Sequence, residues 1–132
     1  MRILFLMMAM AASVGFAQMP ACDGDIAMVR ISTIKPGGTM QNFLAAIETQ
    51  KAWYRANGVQ DNQLFVARLL VGNRGSRDMK YSETEAISYH VRPPSMDRIP
   101  NRGDAGWKAF VKLFQDNSEI KNEYMACMPK QK

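Results

Sequence analysis

Three arginines, a serine and the chain's single histidine are the side chains whose types and spacing suggest a binding site. A histidine can act as a general base or a metal ligand, and arginines hold anions. Ser88, His90 and Arg92 alternate along the stretch "EAISYHVRPP", and alternate residues of a strand point to the same face of a sheet. The pattern predicts one ligand-binding wall made of Arg30, Arg68, Ser88, His90 and Arg92.

The chemistry open to this set is narrow. A general base needs a partner that orients it, and the sequence identifies none for His90. One histidine and two cysteines cannot supply the three or four ligands of a zinc or copper site, so we expect neither a metal nor another cofactor. A nucleophilic triad also lacks its G-x-S-x-G elbow and a second histidine. Catalytic residues therefore stay unassigned, and the arginines are more informative than the histidine.

The arginines allow two interpretations. A buried guanidinium without a partner costs several kcal/mol, so each must meet water, an anion or a carboxylate. An anionic small molecule is the functional alternative. The structural alternative is a set of salt bridges at an interface, reached by Glu83, Asp97 or Asp104. The sequence leaves both open.

The first seventeen residues predict a secretory signal peptide. Met1 and Arg2 give a positive start, and "ILFLMMAMAASVGFA" is an apolar run that ends in small residues. This run is shorter than the roughly 18 to 20 residues that span a bilayer. We expect cleavage after Ala17 and a periplasmic or secreted mature protein, residues 18–132, that forms a single domain without stable membrane insertion.

The two cysteines lie near opposite ends of the predicted mature chain. An even cysteine count in an exported protein indicates a disulfide, here between Cys22 and Cys127. Cys22 also stands where a lipoprotein cysteine would be acylated, although the preceding "MPA" resembles that signal poorly. We expect the disulfide, with lipidation of Cys22 as the alternative.

The net charge gives little information about the protein's partners. The chain has 17 Lys plus Arg against 12 Asp plus Glu, and loss of Arg2 with the leader leaves a net charge of +4. The basic residues are scattered and show no aromatic-basic signature, so no nucleic-acid partner is predicted. A solvated surface explains the modest excess.

Periodicity and turn residues predict an orderly alternation of elements. Apolar, β-branched segments end at Gly or Pro-rich stops, and Thr39 and Asp104 are N-cap residues before helical apolar spacing. The expected strands cover residues 26–34, 63–72, 85–92 and 123–128, and the expected helices run from Thr39 to about Ala56 and from Asp104 to Asn117.

The order β-α-β-β-α-β predicts a ferredoxin-like α+β fold with a four-stranded antiparallel sheet and both helices on one face. In this topology the last strand lies antiparallel to the first, which brings Cys22 close to Cys127. If the more apolar side of each strand faces the helices, the five candidate residues lie on the open face together with Leu64, Val66 and Leu70. Tyr124, Ala126 and Met128 complete this face if Cys127 points the other way.

This element order and the half-apolar sheet face resemble the dimeric α+β barrel superfamily, which includes antibiotic-biosynthesis monooxygenases, haem-degrading monooxygenases and stress-responsive barrel proteins. The resemblance covers about residues 26–128. It implies a homodimer, with a cavity between the sheets or between sheet and helices that takes small aromatic or isoprenoid-like compounds or haem. The haem-degrading members use an Asn, a His and a Trp, which no motif in this chain matches. Trp107 is expected in the core, and Trp53 facing a cavity or solvent.

Two functions follow from the sequence. One is an exported small-molecule-binding barrel, including a cofactor-independent monooxygenase-like enzyme, that acts on a small anionic or aromatic compound. The other is a non-catalytic dimeric module for binding or stress response. A monomeric domain similar to a protease inhibitor or a propeptide is a third reading of the same topology. The sequence does not identify the ligand or decide whether the protein is an enzyme.

Overall fold

The computed structural model describes residues 21–75, 77–91 and 103–129. The elements follow the predicted order: β1 (Asp25–Ile34), α1 (Met40–Ala56), β2 (Gln63–Val71), β3 (Lys80–Val91), α2 (Ala105–Asn117) and β4 (Ser118–Met128). The predicted leader, its cleavage site and Arg92 lie outside the described residues.

Both helices begin at the predicted cap residues. The Thr39 hydroxyl accepts a hydrogen bond from the backbone N–H of Asn42 at 3.0 Å, and the Asp104 carboxylate accepts one from the N–H of Trp107 at 2.7 Å. Each cap satisfies a backbone donor that the first helical turn leaves free. α1 ends at Ala56, where Gly58 takes a φ of 83° that side chains disfavour.

The sheet has the strand order β2-β3-β1-β4, and each neighbouring pair is antiparallel. The last strand therefore lies beside the first, as predicted. Asp25 of β1 pairs with Met128 of β4, and the Cys22–Cys127 disulfide joins the two strands just beyond this pair, with a Cα–Cα distance of 5.7 Å. The ferredoxin-like fold and the predicted disulfide are both confirmed.

The prediction for the sheet faces is wrong. Leu64 and Ala86 pack with Met40, Phe43 and Ile47 of α1 in the core, and Phe114 of α2 packs against the same cluster. Directly opposed residues of an antiparallel pair point to one face, so the helix-covered face, called the covered face below, contains Met28, Arg30, Ser32, Leu64, Val66, Arg68, Ala86, Ser88 and His90.

The opposite face of the sheet, called the open face below, is the more apolar one. Val29 pairs with both Tyr89 and Tyr124 on this side of the sheet. Tyr124, Ala126 and Met128 therefore lie on the opposite side from the candidate arginines, contrary to expectation. The other apolar members are Ala27, Ile31, Phe65, Ala67, Ile87 and Val91.

Two strands begin earlier than predicted. β3 starts at Lys80, and an irregular segment interrupts its pairing with β2, where the Ser82 hydroxyl accepts from the N–H groups of Thr84 and Glu85. β4 follows α2 without a loop. The Lys35 N–H donates to the Asn117 carbonyl, and a Cβ on Gly38 would lie 2.4 Å from that oxygen. Gly38 therefore allows this close helix-to-strand junction.

Trp53 is a core residue, which corrects the expectation that it faces a cavity or solvent. It is buried with Tyr54 and Val59, and Trp107 packs against them with a ring-centroid distance of 4.8 Å. The indole N–H donates to the Asp104 carboxylate at 2.8 Å. The polar end of the side chain thus finds a partner at the start of α2, which lets the ring be buried off the main apolar stripe of α1.

Candidate functional site

A cavity of about 330 Å³ lies between part of the covered face of the sheet and the two helices. We call it the interlayer cavity. Its floor includes Arg30, Leu64 and Ser88, and its apolar walls come from the helices and from the start of β4. The size lies at the lower end of the roughly 300 to 1,000 Å³ typical of small-molecule sites. The lining apolar side chains are Ile47, Leu64, Phe110, Val111, Phe114 and Ile120.

Arg30 and Ser88 are cross-strand partners on the floor of the cavity. The Arg30 Nε–H donates to the Glu123 carboxylate at 2.6 Å, so the guanidinium is oriented by β4. Its two terminal nitrogens form no hydrogen bond with any described residue. Arg30 therefore keeps its two-pronged donor face available for a ligand.

Gln50 of α1 contributes the second polar group. It is only 4% exposed and Ser88 only 6%, yet neither side chain hydrogen-bonds to a described residue, and both line the cavity. The fully buried side-chain atoms without a hydrogen-bond partner among the described residues are Ser32 Oγ, Asn62 Nδ2 and Arg68 Nε, so the polar atoms of Gln50 and Ser88 are not sealed inside the protein but reach the cavity. These two groups are therefore available to a molecule that occupies the cavity.

The remaining charged residues of the lining are Lys35 and Glu119. The Lys35 ammonium donates to the Gln115 carbonyl at 2.6 Å, in the last turn of α2. A cation at this position satisfies a free carbonyl and complements the helix dipole. Lys35 thus has a structural partner already, and Arg30 is the cation left to the ligand.

His90 lies on the covered face but does not line the interlayer cavity. It is buried, its Nε2 lies 2.7 Å from the Asn62 Oδ1, and its ring meets Tyr54 edge-on at 5.3 Å. A general base must come within hydrogen-bond reach of the proton it removes. This position fits a core residue with its own partners.

Arg68 occupies a different place from Arg30. Its guanidinium forms an ion pair with Glu83 and lies 4.7 Å from the centroid of the Tyr81 ring. The surrounding groove belongs to the irregular part of the β2 and β3 pairing. Arg68 thus fits the structural alternative, a salt bridge, and its partner is the predicted Glu83.

The structure therefore brings two of the predicted site residues together, Arg30 and Ser88. Sequence reasoning missed Gln50, although a signal was present. Phe43, Ile47, Gln50 and Tyr54 follow helical spacing, so Gln50 is a polar residue inside an apolar stripe. A buried polar residue of this kind is more informative than an exposed one.

No three His, Cys, Asp or Glu side chains in the described part of the chain stand close enough together to hold a metal ion. Neither of the two described helices is long and apolar enough to cross a membrane.

No protein-family model matches the chain, and no curated protein does. Among solved structures, the chain is similar to SnoaB, a cofactor-independent oxygenase from Streptomyces nogalater, with 13% identity over 82% of this chain and 96% of that one and a TM-score of 0.48. The element order and the sheet order are those of the ferredoxin-like fold, on which the predicted resemblance to the α+β barrel superfamily rests.

Proposed function

We propose that this protein is an exported small-molecule-binding α+β barrel protein whose binding site is the interlayer cavity. The observation that carries the proposal is the pair Gln50 and Ser88, both more than nine-tenths buried and without a hydrogen-bond partner among the described residues, in a cavity that also presents Arg30. Polar groups of this kind are stabilised by a ligand that completes their hydrogen bonds.

The apolar walls set the general character of the ligand. Phe110 and Phe114 stand with ring centroids 6.1 Å apart on α2, and Ile47 faces them from α1. A molecule with a flat or extended apolar body and a polar end would bury its body against these side chains and place its end near Arg30. The site therefore supports binding of a small amphipathic compound.

Binding without catalysis is the form of this function that the geometry favours. General acid–base or nucleophilic catalysis needs a base or nucleophile beside the substrate. The buried histidine does not line the cavity, and Glu119, the carboxylate that does, is exposed on β4. The alternative, a monooxygenase-like enzyme, predicts that the protein oxidises a ligand that it binds, and an assay of product formation with each ligand tests this.

Export and dimerisation complete the proposal. The leader pattern of residues 1–17 and the Cys22–Cys127 disulfide support an oxidising compartment. The open face exposes Phe65 at 55% and Tyr124 at 54%, which supports cover by a second copy of the chain. Mass spectrometry of the protein from a periplasmic or culture fraction should find Gln18 as the first residue, the disulfide formed and a dimer in the native spectrum.

The binding site is tested by filling it. Val111 lines the cavity, whereas Ala109 is exposed on the same helix. We expect a set of small aromatic and aliphatic acids, amides and amines, screened by NMR, to yield ligands of the native protein that still bind A109F and no longer bind V111F. Thermal unfolding verifies that both variants are folded. Absence of any ligand from the screen, or equal binding to V111F, would refute the proposed site.

A further inference from the structure

We infer that the ligand of the interlayer cavity carries a single carboxylate, bound by Arg30 and selected by the amide of Gln50; this inference rests on the proposed function. Carboxylate oxygens match the spacing of guanidinium donors and accept two parallel hydrogen bonds. The terminal nitrogens of Arg30 bond no described residue, and Gln50 and Ser88 offer an N–H and an O–H in the lining of the same cavity. Together these donors match the acceptor capacity of one carboxylate.

The local charge balance argues for a monoanion. Arg30 and Lys35 are the cations of the lining; Glu119 is its carboxylate, and Glu123 holds the Nε of Arg30. Among the described residues, two positive and two negative side chains therefore surround the site before a ligand enters. A carboxylate adds one charge, which the free side of Arg30 can accept. A phosphate monoester would bring up to two charges close to both glutamates, and an ammonium would meet Arg30.

The division of roles follows from burial. Arg30 is half-buried and keeps contact with water, whereas Gln50 is enclosed. Arg30 should therefore provide most of the affinity for the charged end. Gln50 can donate to one carboxylate oxygen and loses that hydrogen bond with ligands that lack an acceptor at this place, because its amide is then left buried and unpaired. Gln50 is the residue that selects the end group.

The experiment compares three probes with one apolar body: 2-naphthoate, 2-naphthamide and 2-naphthyl phosphate, titrated by calorimetry into the full mature protein. We expect 2-naphthoate to bind tightest. Arg30→Met should weaken it about tenfold or more, as expected for loss of a charge-assisted pair, and change 2-naphthamide binding less than about twofold. Arg30→Lys keeps the positive charge but loses the paired guanidinium donors. Its affinity for 2-naphthoate should therefore lie between those of the native protein and Arg30→Met.

Matched controls separate the site from general effects. Arg74→Met removes an exposed arginine outside the cavity and should leave all affinities unchanged. Gln50→Leu should weaken 2-naphthoate several-fold, whereas Gln41→Leu, at an exposed position of the same helix, should not. Equal loss in Gln41→Leu would contradict the role of Gln50.

The outcomes distinguish the inference from the proposed function. If compounds from the wider screen bind native protein and not V111F, while 2-naphthoate binding is insensitive to Arg30→Met or weaker than 2-naphthyl phosphate binding, the cavity is a binding site and the carboxylate inference is wrong. If the wider screen finds no compound that V111F excludes, the proposed function itself fails.

Discussion

Single side chains in this protein divide into those with complete hydrogen bonding and those without it. Asp104 accepts from two donors, and the His90 ring bonds Asn62. Gln50 and Ser88 are equally buried and bond no described residue. Since native proteins satisfy most buried polar groups, two groups without a protein partner beside one cavity support the proposal that a ligand binds there.

The Asp104 carboxylate is expected to stabilise the fold more than an ordinary helix cap. It caps α2 and also accepts from the Trp53 indole of α1. Asp104→Ala should lower the free energy of unfolding by about 2–4 kcal/mol, combining a lost cap with a lost hydrogen bond to a charged group. Thr39→Ala removes a cap alone and should cost about 1 kcal/mol. Urea unfolding followed by tryptophan fluorescence measures both, and equal losses would show that the Trp53 contact contributes nothing.

Glu123 is expected to restrain anion binding at Arg30. Glu123→Gln keeps an acceptor for the Arg30 Nε and removes the competing charge. Because the Glu123 side chain is 45% exposed, we expect a change in stability below about 1 kcal/mol and a gain in 2-naphthoate affinity of about two- to fivefold. Glu83→Gln makes the same change beside Arg68 and should leave the affinity for 2-naphthoate unaltered. A loss of affinity in Glu123→Gln would mean that Glu123 mainly positions the guanidinium.

The sequence grouped the polar residues of the strands correctly and placed them on the wrong side. Arg30, Ser88 and His90 do share one face, because alternation fixes which residues point together. Which face meets the helices was argued from apolarity, and here the open face is the more apolar one. The covered face can hold polar residues because part of it borders a cavity and because His90 forms a hydrogen bond with Asn62. Strand periodicity predicts neither the cavity nor this hydrogen bond.

At the scale of elements, local chemistry predicted most boundaries. Thr39, Asp104 and the Asn57-Gly58 stop act through hydrogen bonds and dihedral angles within a few residues. β3 and β4 start earlier than predicted because their first residues are mostly polar and give no strand signal. Those residues are held in the sheet by pairing with β2 and β1, and long-range pairing has no local sequence signal.

The disulfide is expected to be the strongest single constraint between elements. It links Cys22 and Cys127 across a separation of 105 residues, at the end of the β1 and β4 pair. A Cβ on Gly24 would lie 1.7 Å from the Met128 carbonyl oxygen, so the backbone is already closely packed there. In the chain-entropy model, a loop of this length is worth about 4–5 kcal/mol.

The C22A/C127A variant should lose about this much stability in urea unfolding, and native protein treated with reductant should lose the same amount. Reductant should not affect the variant, which serves as the control for direct effects of the reagent. Equal urea midpoints for native and variant protein would contradict the entropic role.

At the scale of the whole molecule, the two faces of the sheet differ in chemistry. The covered face and the helices line the interlayer cavity, where the polar groups Arg30, Gln50 and Ser88 lie. The open face has apolar side chains from all four strands, and a groove of about 740 Å³ runs past Phe65, Tyr89 and Met128. A ligand site under the helices leaves the open face free for another role, so dimerisation and ligand binding should be separable by mutation.

We therefore expect Phe65→Glu to dissociate the proposed dimer without abolishing ligand binding. Phe65 is 55% exposed on the open face, so a carboxylate there would be buried without a partner in a face-to-face dimer. Met79→Glu adds the same charge at an exposed position between β2 and β3 and should leave the mass unchanged. Native mass spectrometry and light scattering measure the mass, and NMR titration measures ligand binding. A Phe65→Glu protein that keeps the dimer would show that the open face is not the interface, whereas one that loses ligand binding as well would show that the interlayer cavity depends on the second copy.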